Sequence, residues 1–145
     1  MKNDNLIIVI SLFFASCSNI NNEEIQLESK VLLNSVSINA IGEKINFPDS
    51  NATITSAIRV LPAGGNTGIH MHEAIPVVYM IEGEITITHE TNNGPVVTIV
   101  KEGESFVGAT NVWHDTKVTS IKDAVAQVVF IGSSDLKNTI NKDDK

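Results

Sequence analysis

Residues 68–87 read GIHMHEAIPVVYMIEGEITI, two histidines one residue apart ahead of a strand-like apolar run. In a β-strand, residues two apart point to the same face with Cα atoms roughly 6.6 Å apart. His70 and His72 can therefore aim both imidazoles at one point. Neutral imidazole suits Zn, Cu, Fe and Ni, and two such ligands need at least one more. The alternative is two surface histidines at a strand end. Four residues after His72, where a carboxylate would complete such a site, stands Pro76.

Working outward, short runs rich in Val, Ile, Thr and aromatics follow one another between turn signals from about Ile25 to Gly132. They are KVLLNSVSI, KINF, ATITSAIRVL, PVVYMIEGEITITHE, GPVVTIVKE, SFVGA and AVAQVVFIG. Asn93-Gly94 lies between two of them and predicts a hairpin turn, because both residues tolerate positive φ. Gly83 and Gly103 punctuate strand ends or bends. The final SSDLKNTINKDDK is polar and reads as a solvent-facing tail, the one segment with any helical character. No internal repeat, phosphate-binding glycine loop or nucleophile elbow is present. The expectation is a single all-β domain, an antiparallel sandwich or barrel of many short strands.

The chain of 145 residues is the size of one domain, and 42% apolar content is enough for a core. A net charge of −7 argues against a nucleic-acid partner and against basic patches for anionic membranes. Lys2 precedes the apolar run Leu6–Ala15, whose ten residues would span about 15 Å as a helix, half a bilayer core. That is the length of a signal-peptide core. The FASC ending at Cys17 resembles a bacterial lipoprotein signal, although Phe14 replaces the usual leucine. The other reading is an ordinary secretory signal with an incidental cysteine. Cys17 is the chain's one cysteine and has no disulfide partner, which lipidation explains. The expected organisation is a lipoprotein signal peptide over 1–16, a polar tether over 17–27, the β-domain over 28–133 and a polar tail over 134–145. It would be lipid-anchored in the cell envelope, on the periplasmic face or the outer surface.

Four segments together resemble the two motifs of the cupin family: Gly68-Ile-His70-Met-His72, Tyr79-Met-Ile-Glu-Gly83, Gly103-Glu-Ser-Phe106 and Trp113-His114. Gly83 falls seven residues after the motif's glutamate position, and His114 falls eleven after Gly103, as in that family. The resemblance covers about Ile54 to Gly132 and implies a conical jelly-roll β-barrel with a divalent transition metal (Fe, Mn, Ni, Cu or Zn) near its centre. Carried over, the ligands are His70, His72 and His114, while Pro76 replaces the ligating glutamate. Glu73 lies one residue past His72 and so faces the other way, unless a loop bends there. Ala109, Asn111 and Val118 replace the second motif's usual proline, glycine and asparagine.

Three neutral ligands leave a divalent ion its full charge and an open position, which attracts an anionic or chelating small molecule. Such sites resemble those of thiol dioxygenases; small cupins also resemble quercetin-cleaving oxygenases and sugar binders. The resemblance thus implies a metal-dependent enzyme, most plausibly a dioxygenase, or a non-catalytic small-ligand or metal binder, or a barrel kept as an interaction scaffold. It also implies a homodimer. Tyr79 and Gln127 are candidate pocket residues. Tyr79 is otherwise a core or rim aromatic, and Gln127 is a polar residue in an apolar strand that needs a partner if buried. Trp113 is expected to pack at the rim, with His89, Glu82 and Glu84 facing solvent.

Overall fold

Ten consecutive residues, Ala52–Leu61, form the first strand, β1, and the chain then folds back on itself eight times. The computed structural model describes residues 29–144, and residues 31–145 form one compact unit. The expected leader, Cys17 and tether lie outside the described residues. The further strands are β2 (His70–Met71), β3 (Ile75–Glu82), β4 (Glu84–Thr91), β5 (Gly94–Lys101), β6 (Ser105–Val107), β7 (His114–Val118), β8 (Ala124–Ser133) and β9 (Ile140–Asn141). They build two antiparallel sheets, ordered β1-β8-β3-β6 and β5-β4-β7-β2-β9. This is the all-β jelly-roll architecture that the sequence predicts. Among the described residues the only helix is a 3₁₀ turn at Lys142–Asp144, and none is long and apolar enough to cross a membrane.

The core lies between the sheets, where period-2 alternation from each side sends apolar residues inward. Val78 and Met80 of β3 meet Ile85 and Ile87 of β4, Val100 of β5 and Val118 of β7. Gly83 separates β3 from β4 with φ at 81°, and a Cβ there would sit 2.7 Å from the Asp123 carbonyl. Only glycine meets both demands without strain.

Several expectations are corrected in detail. KVLLNSVSI and KINF are not strands: they find no sheet to join and share one isolated bridge, Ile38–Lys44. The β4–β5 turn is Asn92-Asn93, one residue earlier than read, with the positive φ on Gly94 (104°). The tail is largely exposed, as expected, but Ile140–Asn141 also adds β9 to the edge of the second sheet beside β2. Strand β1 also reverses the usual pattern. Its aliphatic face, Ile54, Ile58 and Val60, is 73%, 58% and 62% exposed, while Arg59 and Leu61 on the other face turn toward the interior.

Candidate metal centre

His114 of β7 is the Cα partner of His70 on β2, which brings the second motif against the first across one antiparallel pair. His72 follows two residues after His70 on the same face, as the strand period requires. The three imidazole centroids lie 4.3–5.0 Å apart. One ligand nitrogen from each falls within 4.8 Å of the others. All three residues are buried.

Backbone carbonyls orient each ring. Nδ1 of His70 bonds the Gly68 carbonyl at 2.9 Å, that of His72 the Asn138 carbonyl at 2.5 Å, and that of His114 the Val112 carbonyl at 3.0 Å. With Nδ1 donating to a carbonyl, Nε2 is left as a free acceptor lone pair, the tautomer a metal needs. Burial pushes the His72 imidazole down to about 4 and His114 to about 3, and repulsion from the neighbouring histidines adds to both shifts. Both rings are therefore neutral at physiological pH. Three buried, pre-oriented nitrogens around one point fit a divalent transition ion, which bonds imidazole at about 2.0–2.1 Å.

Local sequence explains the scaffold. Asn111 adopts φ 58° and its N–H donates to the His72 carbonyl at 2.7 Å, tying the loop before His114 to the first motif. Asparagine tolerates that left-handed conformation, so it can stand where the family uses glycine. Pro76 sits inside β3 opposite Phe130, and its carbonyl accepts from Gly108 N–H at 2.8 Å. That carbonyl points to the β6 side, so the absent N–H is lost on that side too, and the β8 ladder is spared. Pro76 lines the cavity in front of the histidines. Gly108 lets it pack closely, since a Cβ there would meet the ring at 2.6 Å. No group at position 76 can coordinate.

A family model for the cupin domain matches residues 57–131. The chain belongs to the cupin family. Among solved structures, this cupin resembles oxalate decarboxylase from Lactobacillus farciminis in its formate complex, with 17% identity and a TM-score of 0.56 over 63% of this chain and 27% of that one. It also resembles oxalate decarboxylase from Bacillus subtilis at pH 4.6, with 22% identity and a TM-score of 0.54 over 63% and 24%. A structure of oxalate oxidase matches with 20% identity and a TM-score of 0.53 over 61% and 46%. These likenesses concern the fold, and this cupin spans about a quarter of the decarboxylases' length and under half of the oxidase's. Among curated proteins, none matches by sequence.

The histidines open onto a cavity of about 400 Å³ between the two sheets, walled mainly by aliphatic side chains and Phe106 and Phe130. Gln127 does not face it. That residue is exposed on the outer face of β8 and donates to Ser56 at 3.3 Å, because its register partners Ile58 and Tyr79 share the outward parity. Tyr79 is half-buried there and likewise lies outside the cavity lining. Glu73 is not part of the histidine group; its carboxylate accepts from the Lys137 N–H at 2.7 Å. Trp113 is half-buried, outside the cavity lining, with Lys142 Nζ 5.7 Å from its ring centre. Glu82 and Glu84 pair with Lys122 and Lys101 at the surface.

His89 overturns its reading as a solvated residue. It is 1% exposed, lines the cavity, and stacks its ring 5.1 Å from that of His114. It continues the inward series Ile85, Ile87, His89 because β4 runs on to Thr91 before turning. It is also the Cα partner of His114, so His89, His114 and His70 form one row across three strands. Its Nδ1 is the only buried side-chain polar atom without a hydrogen-bond partner among the described residues. Burial lowers its pKa. The alternation Ile85-x-Ile87-x-His89 is the signal that could have found it. Arg59, Thr139 and Asn141 also line the cavity, and only the fold could place them there.

Proposed function

We propose that this cupin holds a divalent transition metal, Fe, Mn, Ni, Cu or Zn, on His70, His72 and His114 and binds or transforms a small molecule in the adjoining cavity. The observation that carries this is the set of three buried rings whose Nδ1 atoms are tied to carbonyls, with burial favouring the neutral forms of His72 and His114. When bound, the ion supplies Lewis acidity and, if redox-active, the means to engage O₂. The protein's own part is to fix the three rings, keep His72 and His114 neutral, and line the site mainly with aliphatic walls. Pro76 leaves the ion's +2 charge uncompensated, which favours an anionic ligand. The enzymatic form of this reading is a dioxygenase.

A second reading, a non-catalytic ligand- or metal-binding protein, is favoured by one observation. Among the described residues lining the cavity there is no carboxylate to serve as general acid or base. In either case the domain works as a lipoprotein anchored through Cys17 at the cell envelope. The exposed Ile54, Ile58 and Val60 face supports a homodimer.

Metal analysis of the full chain after reconstitution tests the centre: about one equivalent is expected, and less than a tenth would end the metal reading. Oxygen uptake with thiols, flavonoids and dicarbonyls then separates the two forms. Uptake with any of them supports the dioxygenase; a metal-replete protein inert to all of them while still binding ligand supports the binder.

A further inference from the structure

Arg59 is the chain's sole arginine, and the fold places it on the wall of the histidine cavity. It sits in β1 opposite Ala126 of β8, with Met80 of β3 next in the same row. The small Ala124 and Ala126 side chains leave room beside it. Arg59 is exposed, and among the described residues its side chain is in none of the ion pairs. A guanidinium on an aliphatic stem can thus lie along the apolar wall with its donors at the opening.

The surrounding charges sharpen the point. The protein carries −7 overall, yet no carboxylate and no other Lys or Arg lines this cavity among the described residues. Distant surface acids are screened beyond about 8 Å at physiological salt, so the local cation governs what binds. Guanidinium pairs with carboxylate through two parallel N–H donors. A volume of about 400 Å³ with Leu61, Val78, Met80 and Phe106 in its wall suits a ligand with a hydrocarbon body and is wasted on a small dianion.

We propose that this site selects a small amphiphilic carboxylate: Arg59 holds the carboxylate at the mouth, and the hydrocarbon body lies on the apolar wall with its far end toward the three histidines. This rests on the reading of the cavity as a small-molecule site and adds the ligand class and the residue that selects it.

Calorimetric titration of the full chain, metal-free and reconstituted, with phenylacetate, phenylacetamide and oxalate tests it. In the wild type, phenylacetate is expected to bind about tenfold or more tightly than the neutral amide, and more tightly than oxalate in the metal-free protein. In the metal-free protein, Arg59→Gln should abolish the preference for acid over amide while leaving amide affinity unchanged, and metal content after reconstitution should not alter. Arg59→Lys should restore part of it. Equal affinity for acid and amide in the wild type, no binding of phenylacetate, or an unaltered preference in Arg59→Gln would each overturn the proposal. Tighter binding of oxalate to the metal-free protein would overturn the apolar part. Metal is counted in the same samples. An Arg59-dependent preference in a protein that takes up no metal would remove the metal centre and leave this inference standing. A metal-replete protein indifferent to the carboxylate would do the reverse.

Discussion

Acidification should destabilise the metal-free protein well before its carboxylates titrate. In the unfolded chain histidine takes up its proton near 6.5, whereas in the folded protein burial delays protonation to about 4 for His72 and about 3 for His114. Below 6.5 the unfolded state therefore binds more protons than the native state, so stability is fully present above that pH and falls as pH drops toward the folded values. Each such histidine costs up to about 1.4 kcal/mol per pH unit, and the pair together about 3 kcal/mol between pH 6.5 and 5. His89, also lowered by burial, adds in the same sense. Carboxylates with ordinary values near 4 contribute little in that window. Urea denaturation of chelator-treated protein at half-unit steps measures it. The slope near pH 5.5 should be about 2 kcal/mol per unit and should drop by roughly half in His114→Gln. A slope below about 0.5 kcal/mol per unit, or one that His114→Gln leaves intact, would refute the assignment of buried neutral imidazoles.

Substitution should separate the histidines by role. His114→Ala removes a nitrogen from the group and should abolish stoichiometric metal uptake, whereas His89→Ala, outside the group, should retain it by elemental analysis. Pro76→Glu places a carboxylate on the cavity wall in front of the three rings and should tighten Zn²⁺ binding by about tenfold or more in a competition titration, since an anionic donor offsets the ion's charge. Met80→Ala empties a fully buried site between the sheets and should cost about 2–5 kcal/mol in urea denaturation. A loss under about 1 kcal/mol would mean that the cavity wall relaxes into the space.

Local pattern carried much of this. The H-x-H pair, the glycine at 83 and the spacing from Gly103 to His114 are readable because strand parity and turn geometry are local. The structure brings His70, His72 and His114 together through one strand register, His70 opposite His114. Gln127 misled because both faces of β8 are apolar: Ala126 and Val128 flank it inward, and its own parity points out. His89 misled because its neighbours are polar and look like a loop, although its parity with Ile85 and Ile87 was in the sequence. Arg59 was not legible. The aliphatic side of β1 faces outward, so a rule that sends the apolar face inward puts this arginine on the face away from the cavity that it lines. Long-range contacts were equally hidden, above all the Asn138 carbonyl that orients His72 from 66 residues away.

That last contact makes the site depend on a segment far along the chain from either motif. His72 acquires its ring orientation only when Asn138 is in place, and His70 gains its second strand neighbour only when Ile140–Asn141 docks. Both motifs and most of the barrel together still lack the carbonyl that aims one of the three nitrogens. The geometry of the three-histidine group is therefore set partly by residues 138–141, which belong to neither motif.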